Sequence, residues 1–182
     1  ERDTPLDMPL AGLTVRYSPD ALENFDFLFS AYQGDGDYES VGVSVFGGWE
    51  AKVDSERQDY EFMVRHKLFS NKRTYLLYGL RWINIDDTYT QTAPVLIPNE
   101  HNEDMNIYLG QLGAGFSNNI TADGRVNLFG NIVLGYGKEK TKRKDAKGSE
   151  TFNDEISSLD LNIGVQWAVT DNFSVDTRYR VL

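Results

Sequence analysis

Uncharged and charged residues alternate along much of this chain with a period of two. In Asp59–Phe69 the even positions Tyr60, Phe62, Val64, His66 and Leu68 carry no formal charge, whereas the odd ones, Asp59, Glu61, Met63, Arg65 and Lys67, are mostly charged. Ser158–Ala168 repeats the pattern, with Leu159, Leu161, Ile163, Val165 and Trp167 on one face and Asp160, Asn162, Gly164 and Gln166 on the other. Near the end, Phe173, Val175, Thr177, Tyr179 and Val181 oppose Ser174, Asp176, Arg178 and Arg180. Successive side chains of a strand point to opposite faces, so these tracts predict half-buried β-strands. Helical periodicity of similar quality is absent.

Every such tract together gives eight strands, at 10–18, 24–35, 57–69, 73–86, 104–117, 124–138, 156–169 and 172–182. Short connections (Pro19–Glu23, Ser70–Lys72, Asn118–Asp123, Thr170–Asp171) are built from turn-forming residues. They alternate with long polar ones at 36–56, 87–103 and 139–155. Proline is confined to positions 5, 9, 19, 94 and 98, leaving long tracts free to pair. The short turns recur about every 50 residues, a period that would also suit propeller blades, but a blade needs four strands per repeat and two are present here. An up-and-down antiparallel β-barrel, one domain over 1–182, is the architecture expected.

Composition first argues for a soluble acidic protein. The chain has 182 residues, 18 basic against 28 acidic, a net charge of −10 and no Cys. Mean hydropathy is −0.47. Nucleic acid is a disfavoured partner for such a charge, and thiolate chemistry is excluded. Glu1 opens into a polar segment without a signal peptide, as expected of a mature, trimmed or partial sequence. A soluble barrel and a membrane barrel share the same alternation with opposite polarity. Three features favour the membrane. The uncharged face stays clean over about 10 residues, the length of a tilted membrane strand. In strand 73–86 it reads Thr74, Leu76, Tyr78, Leu80, Trp82, Asn84, and in strand 124–138 Val126, Leu128, Gly130, Ile132, Leu134, Tyr136. Aromatics gather at the two ends of that face: Tyr17, Phe25, Phe116, Trp167 and Phe173 near the short turns, and Tyr60, Trp82, Tyr108, Tyr136 and Tyr179 toward the long loops. The other face carries both signs of charge. Arg16, Arg65, Arg81, Arg125, Arg178 and Arg180 can meet Asp26, Glu61, Asp160 and Asp176 inside a bore only wide enough for side chains.

The segments Arg65–Tyr75 (RHKLFSNKRTY), Val165–Tyr179 (VQWAVTDNFSVDTRY) and Ala31–Glu39 (AYQGDGDYE) resemble the periplasmic turns and a rising strand end of small Gram-negative outer-membrane β-barrels of the OmpA-transmembrane-domain or OmpX type. The resemblance implies a bacterial outer-membrane location and contact with outer-membrane lipid and lipopolysaccharide. Family members start and finish in the periplasm, whereas this strand order puts both ends on the long-loop side, and the chain stops at Leu182. Either one strand is misread, or the chain belongs to a barrel of ten or more strands, or, as the least favoured option, it is an eight-strand barrel with external termini.

Candidate chemistry is sparse. Some outer-membrane barrels are lipid-modifying enzymes that use a His with a Ser or an acid. Of the two histidines, His66 lies on the uncharged face and His101 in the acidic stretch Asn99–Asp104. Ser157, Ser158 and Ser174 have no His in a matching register. No enzyme activity, cofactor or metal is therefore expected, with a small porin and a lipid-modifying enzyme as the alternatives. The loop run Lys140, Lys142, Arg143 and Lys144 is the candidate contact for lipopolysaccharide phosphates or a protein partner. Val41, Val43, Val45, Phe46 and Trp49 suggest that the first long loop continues a strand or presents a contact surface.

Overall fold

The structure, a computed structural model, describes residues 10–44, 47–68, 73–93, 100–145 and 148–181. Eight strands run β1 (Ala11–Tyr17), β2 (Phe25–Ser44), β3 (Gly47–Leu68), β4 (Thr74–Ala93), β5 (Glu100–Asn119), β6 (Val126–Asp145), β7 (Gly148–Ala168) and β8 (Phe173–Val181). Each pairs antiparallel with its sequence neighbour, and β1 pairs with β8 to close the barrel. The ring therefore needs no further strand and none is misread. The directions of β1 and β8 send both ends toward the long-hairpin side, with Ala11 beside Gln33 of β2 and Val181 beside Leu161 of β7.

The expected long connections are the main correction. Pairing of β2 with β3 is unbroken from Phe25↔His66 to Ser44↔Gly47, so residues 36–44 and 47–56 are strand, with Val41 in β2. Side chains at 43, 45, 46 and 49 lie outside the described residues. Likewise β6 and β7 pair from Val126↔Trp167 to Asp145↔Gly148, and β4 and β5 from Thr74↔Phe116 to Thr90↔Glu100. Cross-strand neighbours are complementary along β5–β6–β7, whereas across β3–β4–β5 the carboxylates Glu56, Asp86 and Asp104 face one another. Lys52 lies 3.1 Å from Asp54 and 3.8 Å from Asp37, while Asp104 faces Lys142 and Lys138 faces Glu155. Asp145 Oδ1 accepts from Gly148 N at 3.0 Å across the last hairpin.

At the opposite end the turns are short, as expected. A 3-10 turn, Asp20–Leu22, follows Pro19, whose missing N–H suits a turn start. Between β5 and β6, Gly124 adopts φ 70°, a left-handed conformation that favours glycine, and Asp123 Oδ1 accepts from Arg125 N at 3.1 Å.

The seam is unequal to the other interfaces. β1 meets β8 over four residue pairs, Thr14↔Asp176 to Tyr17↔Phe173. Above it, residues 34–44 of β2 pair only with β3, and residues 148–160 of β7 only with β6, among the described residues.

Polarity reverses with height. From the short turns up to Tyr60, Trp82, Tyr108 and Tyr136 the outer face is apolar and exposed, and the bore holds most of the buried charge. Above that level the outer face turns polar (Gln58, Glu56 and Asp54 on β3; Asn84, Asp86 and Thr88 on β4), while the bore adds the apolar Ile83, Met105 and Ile107 to the buried Arg57, Asp59, Asp87 and Glu103. Ala51, Val53 and Tyr89 form a second apolar cluster higher up. Burying each aliphatic side chain there contributes about 1.5–3 kcal/mol.

Glycines on the inner face make room for large neighbours. An added Cβ at Gly164 would meet the Phe129 ring at 2.7 Å and crowd the Thr177 carbonyl. We expect Gly164→Val to cost about 1–3 kcal/mol by overpacking, read as a lower urea midpoint with an unchanged slope; an unaltered midpoint would show that Phe129 yields freely.

Candidate functional site

The outer surface between the two aromatic bands is the larger of two functional features. Cross-strand register sets Tyr60 opposite Trp82 and Trp82 opposite Tyr108, with Tyr136 opposite Gly110, one step lower. Tyr60 and Trp82 stack at 5.3 Å. Their polar ends reach upward: Trp82 Nε1 donates to Asn106 Oδ1 at 3.1 Å, and Tyr136 OH to Glu155 Oε2 at 2.9 Å. Near the short turns Tyr17 packs tilted against Phe173 at 5.1 Å and Phe25 stacks on His66 at 4.5 Å, with Phe116 and Trp167 exposed in the same band. Tyr179 is exposed on β8 opposite Ile163, higher on the same face. Aliphatics including Leu80, Leu112, Ile132, Leu134, Leu161 and Ile163 are exposed between the bands. The rise from Thr74 to Trp82 is about 27 Å along the strand, or roughly 21 Å of height at the ~40° tilt of membrane barrels.

The second feature is the bore, which is layered. At the short-turn mouth Asp26 is approached by Lys67 (2.7 Å), Arg65 (3.2 Å) and Arg16 (3.9 Å), and accepts from Ser18 Oγ at 2.7 Å. Above it Met63, Tyr75, Leu77 and Val133 form a buried apolar cluster. Next comes the charge layer. Arg81 binds Asp59 through Nε (2.9 Å) and Nη2, and Asp160 through Nη1 (3.0 Å). Arg57 Nη2 lies 3.3 Å from Asp59, and Gln111 Nε2 donates to Asp160 at 3.4 Å. Beside the seam, Arg178 joins Asp176 (3.0 Å), Glu61 (3.5 Å) and Thr14 Oγ1 (2.7 Å). Free space among Arg65, Tyr75, Phe129 and Arg178 amounts to ≈ 20 Å³, about one water.

The structure thus brings together Arg16, Asp26 and Arg65 at the mouth, and Glu61, Arg81, Asp160, Asp176 and Arg178 in the bore. Arg125 is a correction: it ends the turn between β5 and β6 and is exposed at the rim, where its carbonyl accepts from Ala168 N at 2.8 Å at the end of the ladder. The Arg180 side chain lies outside the described residues. Arg57, Asp59 and Gln111 were missed, although Arg57 and Asp59 share the parity of Glu61.

The basic run is corrected too. Lys140, Lys142 and Lys144 are exposed on the outer face of β6, continuing the row Ile132, Leu134, Tyr136, Lys138. Arg143 points inward instead, its Nη2 3.2 Å from His101 Nε2 and its Nε 3.7 Å from Glu103. His101 stacks on Tyr89 at 4.4 Å. Deeper, Asp87 accepts from Ser55 Oγ, from Tyr38 OH at 3.3 Å and from Tyr89 OH at 3.4 Å. Burial first, then Tyr89 and Asp87, push the Tyr38 phenol well above its ordinary value.

Burial, then the Arg143 charge, hold the His101 imidazole below its ordinary 6.5. Folded His101 therefore binds a proton less readily than the unfolded chain, and its contribution to stability is full above about pH 6.5 and falls as pH drops toward the depressed value. His101→Phe keeps the ring and removes the proton site. The wild type is expected to lose more stability than this variant between pH 7 and 5 in paired urea titrations; parallel losses would refute the linkage.

The sequence matches no protein-family model and no curated protein. Among solved structures, the crystal structure of Acinetobacter baumannii CarO2 aligns with 94% of this chain and 100% of that chain, at 10% identity and a TM-score of 0.34. At that level of similarity the barrel assignment rests on this chain's own strand pairing.

Proposed function

We propose that the chain is an integral β-barrel of a bacterial outer membrane, occluded and non-enzymatic, with its long hairpins on the outer side. The carrying observation is the switch in the outer face at Tyr60, Trp82, Tyr108 and Tyr136, from exposed aliphatics below to charged and amide residues above. A soluble barrel gains nothing from exposing such an apolar belt, whereas hydrocarbon requires it. Folded protein should need detergent or lipid and should migrate faster on a gel before boiling than after; monodisperse behaviour in plain buffer would refute the membrane reading.

Occlusion is supported by the buried apolar cluster and the filled charge layer, so planar bilayers containing the protein should show no conductance steps. Well-defined steps would favour the porin reading. The two histidines are engaged in ring contacts with Phe25 and Tyr89. Accordingly, lipid A mass spectra should be unchanged between cells expressing wild type and His66→Ala/His101→Ala.

On the outer side, Lys140, Lys142 and Lys144 stand directly above the apolar belt, where lipopolysaccharide phosphates would lie. The triple Lys→Glu variant should bind lipopolysaccharide about tenfold or more weakly, with a reduced salt dependence. Equal affinity would remove the ladder from the reading.

A further inference from the structure

The short-turn mouth contains a cavity of ≈ 400 Å³ lined by Arg16, Arg65, Lys67, Arg73, Ser117, Asn119 and Asn127. Four cationic side chains and three polar ones surround it, with no carboxylate among the lining residues. In a chain of net charge −10 this is a strong local reversal. Asp26 sits behind the wall, shared among three of the cations. The pairing is imperfect on both sides: among the described residues Arg16 Nε is buried without a hydrogen-bond acceptor, Asp26 Oδ2 accepts no hydrogen bond, and Arg65 Nε, although 3.2 Å from that oxygen, is not aligned to donate to it. The Arg65 side chain is only 5% exposed, so its guanidinium is a fixed part of the wall.

We propose that this cavity is a binding site for a phosphate-class oxyanion carried by a small soluble molecule. Guanidinium forks match the paired oxygens of a phosphate, and Lys67, held 2.7 Å from Asp26, adds a point charge. The amides Asn119 and Asn127 and the Ser117 hydroxyl supply neutral donors for the rest of the ligand. The volume falls within the range of small-molecule sites, about 300–1,000 Å³. Directly above, Met63, Tyr75, Leu77 and Val133 form a buried apolar cluster that disfavours passage of an anion, so on this reading it enters and leaves through the same mouth. All the lining residues used here have inward parity or lie at the rim, so a lipid headgroup would have to leave the bilayer surface to reach them. The site depends on the bore and stands whether or not the belt meets lipid.

The test uses the whole chain in phosphatidylcholine nanodiscs, titrated with inorganic phosphate against chloride at constant ionic strength. Phosphate should raise the unfolding temperature saturably. Arg73→Gln removes a rim cation, and Asn119→Asp places a carboxylate in the cavity; both leave the three Asp26 contacts in place. Each should weaken phosphate binding about tenfold, while Lys144→Gln, at the other end, should not. A phosphate response no larger than that of chloride, or equal affinity in both variants, would overturn the site. Phosphatidylglycerol discs provide the second arm: unchanged phosphate affinity supports a soluble ligand, and competition by the lipid would overturn it in favour of a headgroup.

Discussion

Arg81→Met is expected to destabilise the barrel by about 3–5 kcal/mol. The Arg81 side chain is completely buried and bridges β4 to Asp59 on β3 and to Asp160 on β7, across the bore. Neither carboxylate side chain has any exposure. Replacing the guanidinium by an apolar chain of similar length retains the packing and removes the cation that the two carboxylates share. Asp59 keeps its Arg57 contact and Asp160 its Gln111 contact, but a neutral amide is a poor substitute for a buried counter-charge. Adding Asp59→Asn and Asp160→Asn to the same background should recover a large part of the loss, because the penalty comes from the uncompensated charge. Reversible urea unfolding in lipid vesicles, followed by tryptophan fluorescence, measures both. A loss under about 1 kcal/mol for Arg81→Met would mean that water reaches the layer and screens it.

Leu112→Arg is the second large effect, and its sign separates membrane from water. Leu112 is 62% exposed on the outer face of β5, midway between Tyr108 and Phe116. For a protein in buffer, charging so exposed a position is nearly free, within about 0.5 kcal/mol. At the midplane of a bilayer it costs about 2–4 kcal/mol. Thr88→Arg provides the control on the same outer surface: it lies above the Trp82 level, beside Asp54 and Asn102, and should change stability by less than about 0.5 kcal/mol. Equal and small effects at the two positions would place both in water.

The strand order and most of the two faces were legible in the sequence because alternation survives wherever one face is apolar. Thus Asp59–Phe69 and Ser158–Ala168 declared their registers residue by residue. The upper halves were read as loops for a different reason in each case. In β3, Ala51, Val53 and Ser55 alternate with Lys52, Asp54 and Glu56, but small inner residues made the pattern faint. In β6, the inner face carries Glu139, Thr141, Arg143 and Asp145, so neither face is apolar and no periodicity remains. What keeps that stretch extended is its pairing with Glu103, Asp104 and Glu155 on the neighbouring strands. Those partners are distant in sequence, and a single chain gives no direct sign of them. The charge layer was half visible for a related reason: parity gives the face of Asp59 and Arg57, but only the inter-strand stagger brings Asp160 to the height of Arg81. Arg125 shows the converse, correct parity at a residue that the turn leaves exposed at the rim.

The four-pair junction of β1 with β8 has a consequence for how the ring forms. Every other interface joins neighbours through a hairpin and can zip from its own turn, whereas Thr14 and Arg178, joined by a hydrogen bond, are 164 residues apart in sequence. Closure entropy grows with the chain enclosed, so this contact becomes affordable only after the intervening strands have curled the two ends together. The order of assembly is then an open, curving sheet from β2 to β7 that seals last at Thr14–Tyr17 and Phe173–Asp176. Read backwards, the same order makes this seam the first line along which the wall parts, and amide exchange should be fastest there among all the strand interfaces.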